Sequence, residues 1–276
     1  MLGATLICMS AGALPQLNRA NFIRGGAALL GAPIVGYEIY SRVPPLGDPS
    51  DALPPLPAIT ASTVSVVFPG FGGPDANTDR ICKALEARGG QAICVDWTVA
   101  RGSEGRAAVN ADLVGRRVAS ELRAQNVAPT ELHVVGVSIG GFAADALASA
   151  YKRERRGAFC RLTLCDPFTA RGLPGLVRPA TSHGVTEFGR DADVAVAVVN
   201  TDDAVPSTNT PLARCFNIDV TSAAAKTAEY TPLEGDEPGH AWPAAWFGMN
   251  SKAYADVFGA TRHDDAMARG AVRRVA

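Results

Sequence analysis

Four residue groups in this chain have types and spacings that could do chemistry together. Ser138 sits in Gly136-Val137-Ser138-Ile139-Gly140, between an apolar strand-like run, Leu132 to Val137, and a helix-like run rich in small residues. A serine on a strand-to-helix turn is held with its hydroxyl in the open, and the flanking glycines let the turn close tightly. A hydroxyl attacks a carbonyl only if a base takes its proton, and imidazole has the intrinsic affinity for that task near neutral pH.

The chain has four histidines. His133 opens the strand leading to Ser138 and is at its wrong end, His263 lies in a polar tail, and His183 lies in a Gly/Pro-rich loop. His240, in Glu237-Pro-Gly-His-Ala-Trp-Pro243, follows the last strand-like run and precedes a helix, where a late loop can bring it to Ser138. A carboxylate must orient that imidazole. Asp166, Asp202 and Asp203 each follow a strand-like run, and each gives the chain order Ser, Asp, His; position alone does not choose among them. A developing oxyanion needs two N–H donors. Ile139, at the head of the helix, supplies one, and Phe71 in Pro69-Gly-Phe-Gly-Gly73 supplies the other, with Gly72 next to it.

These groups need a scaffold that brings distant segments to one edge. Thr63–Phe68, Gln91–Asp96, Leu132–Val137, Arg161–Cys165, Val194–Val199 and Arg214–Val220 read as strands, several of them apolar on both faces. Helical spacing separates them: Asp75–Arg88, Arg106–Asn126, Ile139–Arg155, and a closing helix at Trp242–Phe258. Alternation of this kind predicts an α/β domain with a mostly parallel sheet covered by helices on both faces. Reactive groups then gather at the carboxyl ends of the strands.

Composition agrees with a globular body. Of 276 residues 47% are hydrophobic, and 26 basic side chains stand against 27 acidic ones. No basic patch argues for nucleic acid. The six cysteines form no CxxC pair or metal-spaced cluster, so neither a metal nor an organic cofactor is expected. Cys94, Cys160 and Cys165 lie in or beside apolar runs and read as buried thiols.

Along the chain, residues 1–42 read as a targeting segment. No acid occurs before Glu38, and the apolar runs Met1–Leu14 and Gly25–Tyr37 flank Arg19 and Arg24. Neither run is long enough to span a bilayer. Arg19-Ala-Asn-Phe-Ile-Arg24 resembles a twin-arginine export signal with Ala20 for the second arginine. The expectation is an organellar compartment (plastid or thylakoid) or secretion. Residues 43–62, with six prolines between Val43 and Pro57, read as a stiff, extended connector. Residues 63–262 form the body, and residues 263–276 a polar tail.

FPGFGG, ICKALEARGGQAICVDW, LHVVGVSIGGFAA, RLTLCDP and VAVVNTDD, in that order over residues 63 to 220, resemble the pancreatic-type lipase family of α/β-hydrolases. The resemblance implies the α/β-hydrolase fold and a serine ester hydrolase of the lipase or phospholipase type. It implies Ser138 as nucleophile, Asp166 as the acid, and Phe71 and Ile139 as oxyanion donors. The match around His240 is weaker, because that segment lacks the family's flanking cysteines. Val137 stands where the family usually has histidine, and Ala92 where the half-cystine partner of Cys82 would stand. No lid bounded by cysteines lies between Asp203 and His240. The implied partner is therefore a lipid or small ester, with contact to a membrane surface. Two rivals use the same scaffold: a catalytically inactive binding or scaffolding subunit, and an acyltransferase.

Overall fold

A computed structural model describes residues 32–125, 129–155, 157–172, 182–228 and 238–276. By compactness the chain divides into Met1–Gly36 and Tyr37–Ala276, and the sheet and its surrounding helices belong to the second unit. Residues 1–31, which hold most of the expected targeting segment, lie outside the described residues.

The elements in chain order are α1 (Ala32–Arg42), β1 (Thr63–Phe68), α2 (Ala76–Glu86), β2 (Gln91–Cys94), α3 (Glu104–Ala124), β3 (Glu131–Val137), α4 (Gly140–Glu154), β4 (Phe159–Cys165), α5 (His183–Glu187), β5 (Val194–Val199), β6 (Phe216–Asp219), α6 (Ala225–Ala228), α7 (Pro238–Asn250), α8 (Ala255–Phe258) and β7 (Val272–Arg274). The strands form one seven-stranded sheet in the order β2-β1-β3-β4-β5-β6-β7. Every neighbouring pair is parallel.

Strand residues alternate between two cores, as the pleat requires. Val64, Val66, Phe68, Leu132, Val134, Leu162 and Leu164 face α3 and α4, packing with Val114, Val118, Phe142 and Leu147. Val67, Val135, Val196 and Val198 face the other way, against Ile81 and Leu85 of α2 and Trp242, Trp246 and Phe247 of α7. Both faces are therefore dry, which is why these strands read as near-continuous apolar runs.

The chain leaves β1 toward β2 on one side and returns to β3 on the other. The order thus reverses between β1 and β3, which opens a crevice at their carboxyl ends. Together with the tight turn after β3, this is the α/β-hydrolase fold expected from the sequence.

Three segments differ from expectation. The closing helix expected over 242–258 is two helices, α7 and α8. The Pro-rich stretch, expected as a stiff, extended connector, bends and is bound to the body. It contains a 3-10 turn at Pro49–Ala52. It is also strapped to α3 through Leu56 N–H to Glu121 (2.7 Å) and Ile59 N–H to Gln125 Oε1 (2.7 Å). Residues 263–276, expected as a polar tail, supply β7, which pairs with β6 through Asn217 to Asp219. Its residues are exposed, so no apolar alternation marked it as a strand. Among the described residues no helix is long and apolar enough to cross a membrane.

Candidate active site

Register delivers the candidate residues to one rim. Val137 pairs with Cys165, and Cys165 pairs with Val198, so β3, β4 and β5 end on one rung. The ladder continues one bond further: Ser138 N–H donates to Cys165 O (3.0 Å) and Asp166 N–H to Val198 O (2.8 Å). Ser138 and Asp166 are thus the first residues past neighbouring strands. Both adopt left-handed backbone angles, with φ of 53° and 46°. Such angles cost non-glycine residues about 1–2 kcal/mol and occur where the fold over-determines a turn.

The two glycines of the turn have steric reasons to be there. A Cβ on Gly136 would stand 2.8 Å from both the Ala144 Cβ and the Gly140 carbonyl. One on Gly140 would stand 2.5 Å from the carbonyls of Phe68 and Pro69. Helix α4 therefore starts in direct contact with the end of β1.

His240 lies in the first turn of α7, not on a loop ahead of it. Two contacts anchor that helix. The buried Trp242 donates its Nε1–H to Val220 O past β6 (2.8 Å), and Asn200 donates its side-chain amide to Gly239 O (2.8 Å). His240 Nε2 lies 2.7 Å from Ser138 Oγ. Its Nδ1 lies 3.0 Å from Asp166 Oδ2 and 2.8 Å from Asp203 Oδ2. The structure thus gathers Ser138, His240, Asp166 and Asp203, and leaves Asp202 exposed outside the group. The other histidines serve the body. His133 is buried and bonded to Thr163 Oγ1 at 2.9 Å. His183 stacks on Phe142, and His263 bridges Ala195 N–H and Met267 O.

The two carboxyl groups are supported differently. Asp203 accepts Val205 N–H (3.0 Å) and the Thr208 hydroxyl besides His240. Among the described residues Asp166 accepts Asn200 N–H (3.2 Å) besides His240. Burial would raise the Asp203 pKa, but hydrogen bonds from His240, Asp166 and Thr208 hold it down at about 2. Full burial raises the Asp166 pKa well above the usual range against the opposing pull of His240, and Asp203 pushes it further up. Burial lowers that of His240, yet its hydrogen bonds to Asp166 and Asp203 and the negative charge of that pair win and raise it to about 9.

Asp166, Asp203 and His240 also have ligand atoms within 4.8 Å of one another, a grouping that invites a metal reading. Two donors on a tetrahedral zinc ion stand about 3.3 Å apart, from metal–ligand distances near 2.0–2.1 Å. The 2.8 and 3.0 Å separations at Nδ1 instead leave room for a proton.

The loop after β1 lies against the serine: a Cβ on Gly70 would stand 3.4 Å from Ser138 Cβ. Two residues that sequence reasoning did not single out brace this loop. Trp97 donates Nε1–H to Pro69 O (2.9 Å). Arg101 donates to Phe71 O, with its guanidinium 4.4 Å from the Phe71 ring centre. The signal available was the Asp96-Trp97 step just past a strand end. Among the described residues the N–H groups of Phe71 and Ile139, and also of Gly72, have no hydrogen-bond acceptor. Phe71, Val137 and Phe168 are half-buried on the segments adjoining the serine, and Phe168 N–H donates to Ser138 O (3.1 Å). A separate cavity of about 450 Å³, lined by Thr201, Asp219, Thr221 and Arg274 among others, contains none of Ser138, His240, Asp166 and Asp203.

Cys160, Cys165 and Cys215 are buried free thiols, and burial raises the pKa of each. Cys94 is only half-buried, and interaction with the Cys82 thiol lowers its pKa.

Comparison with protein families and with curated proteins finds no match. Among solved structures, one from Xanthomonas campestris pv. campestris, assigned to the alpha/beta hydrolase superfamily, is similar over 77% of this chain and 85% of its own. The identity is 13% and the TM-score 0.36. An overlap that loose carries no weight, and the fold rests on the sheet order and the turn after β3.

Proposed function

We propose that this protein hydrolyses carboxylic esters with apolar acyl groups, lipid esters among them, through an acyl-enzyme on Ser138. The 2.7 Å contact between Ser138 Oγ and His240 Nε2 carries the reading, because the opposite ring nitrogen faces carboxylates. That arrangement keeps the proton on Nδ1 and leaves the Nε2 lone pair for the serine. Ser138 Oγ attacks the ester carbonyl while its proton passes to Nε2. The N–H groups of Phe71 and Ile139 hold the resulting oxyanion, and carboxylate stabilises the imidazolium. His240 then protonates the departing alcohol. A water, deprotonated by the same nitrogen, frees the acid. No step calls for a metal or organic cofactor.

Phe71, Val137 and Phe168 favour an apolar acyl group over a polar one. The motif order resembling pancreatic-type lipases supports a lipid ester. Ile39, Tyr40, Val43 and Leu46 are exposed apolar side chains and support work at a membrane surface, which vesicle flotation with and without polar substitutions there measures. The functional test is labelling by a serine-directed fluorophosphonate, with hydrolysis of an ester panel graded in chain length and head group. Labelling lost in Ser138→Ala supports the reading. A folded protein that neither labels nor hydrolyses any ester is instead the inactive scaffold.

A further inference from the structure

Two carboxyl groups meet one imidazole nitrogen here, where a serine hydrolase needs only one. They come from different strand ends: Asp166 directly follows β4, and Asp203 lies four residues past β5. Their side chains are 1% and 0% exposed. Each brings its Oδ2 within 3.0 Å of the same Nδ1, and the two carboxyl groups have oxygens within 4.8 Å of one another. The Nδ1–H is a single proton and cannot neutralise both. Like charges this close in a dry site do not both persist, and one group takes up a proton.

The surroundings decide which one. Asp203 receives three donors besides its neighbour: the Val205 N–H, the Thr208 hydroxyl and, at the shorter distance, His240 Nδ1. Asp166 receives the longer Asn200 and His240 contacts. The other titratable groups reaching Asp166 are His240 from α7, Asp203 from the loop after β5, and the uncharged thiol of Cys165 on β4. We infer that the two groups share one proton, Asp203 being the carboxylate that pairs with the imidazolium and Asp166 a carboxylic acid donating a hydrogen bond to it. When His240 accepts the serine proton, one cation then faces one anion. Asp166 is a positioning residue that holds the Asp203 carboxylate against Nδ1. The assignment reverses the one implied by family resemblance. Its catalytic consequence rests on the hydrolase reading; the shared proton does not.

The experiment compares Asp166→Asn and Asp203→Asn. Asparagine tolerates left-handed backbone, and its amide can donate to Asp203 as the carboxylic acid does, so Asp166→Asn keeps the fold. Asp166→Asn is expected to lower kcat/KM about tenfold and Asp203→Asn about a thousandfold or more, the larger loss being that of a triad carboxylate. Replacing a neutral group by a neutral one leaves the acid limb of the pH profile in place. Removing an anion beside an imidazole lowers that limb. Asp166→Asn is therefore expected to keep the parent's limb. A limb lowered by about one unit in Asp166→Asn would overturn the inference, since a shift of that size is a lost charge. A loss in Asp166→Asn larger than in Asp203→Asn would also overturn it. An arm independent of turnover is the infrared carbonyl band of a protonated carboxyl group. Burial also raises the Asp145 pKa to about 7, so the readout is the component that Asp166→Asn removes; it should be present in the parent at neutral pH, and a parent spectrum unchanged by Asp166→Asn refutes the shared proton. If the parent fails to label with fluorophosphonate yet shows a band component that Asp166→Asn removes, the hydrolase reading falls and the shared proton stands.

Discussion

Replacing Gly140 with alanine probes the contact that holds the serine turn against the loop after β1. The added Cβ would lie 2.5 Å from the carbonyl oxygens of Phe68 and Pro69, and 3.0 Å from the Phe68 carbonyl carbon. Ordinary contact begins about 0.9 Å further out, so α4 must withdraw by roughly that much. The oxygens cannot yield instead, because Phe68 ends a central strand and Pro69 O is held by Trp97 Nε1. Overpacking of this kind costs about 1–3 kcal/mol. For a domain of this size that lowers the melting temperature by roughly 2–4 °C per kcal/mol. Ser138 and Ile139 move with the helix start, and a displacement near 1 Å at reacting groups costs on the order of a hundredfold in rate.

The assay pairs thermal unfolding with the rate of fluorophosphonate labelling. Gly47→Ala serves as control, because nothing lies within 4 Å of the added carbon there. The control should melt at or slightly above the parent, since alanine restricts the unfolded chain. A Gly140→Ala protein that melts with the parent and labels at its rate would refute the steric account of the turn.

Ser138→Ala and His240→Gln should each lower ester turnover by about 10⁴-fold or more, and the double variant little further, because the pair acts as a unit. Burial opposes, but the two carboxyl groups raise, the His240 pKa to about 9. The base must be neutral to act, so kcat/KM should rise with pH along a limb between the ordinary histidine value and about 9; a limb below pH 6 contradicts this. Trp97→Phe removes the donor to Pro69 O and should reduce kcat about tenfold with KM little changed, a fraction of what a lost oxyanion donor costs. Away from the site, Asp193 accepts from Lys152 Nζ (2.8 Å) and Cys160 N–H (2.8 Å). Asp193→Ala should cost about 1–3 kcal/mol in urea unfolding and leave activity per folded molecule intact, because a donor is left unpaired.

Ser138 was legible in the sequence because its requirements are local: a strand, two glycines and a helix start within a dozen residues. The parallel sheet was legible for a related reason, since strands dry on both faces must be written as runs such as VAVAVV. His240 could be reached by elimination among four candidates. The edge strand at Val272–Arg274 could not, because exposed pairing leaves no apolar alternation to read. Nor could the bracing of Pro69 by Trp97 and of Phe71 by Arg101, each about 30 residues further along the chain.

The carboxylates show the division most clearly. Asp202 and Asp203 are chemically alike and adjacent, yet one faces solvent and the other the imidazole. Asp166 reaches the same nitrogen across 74 residues of sequence. Local pattern determined which residue types could take part. Strand order and register decided which of them meet, because charge, burial and hydrogen bonding act through distance in space, and distance along the chain does not determine that.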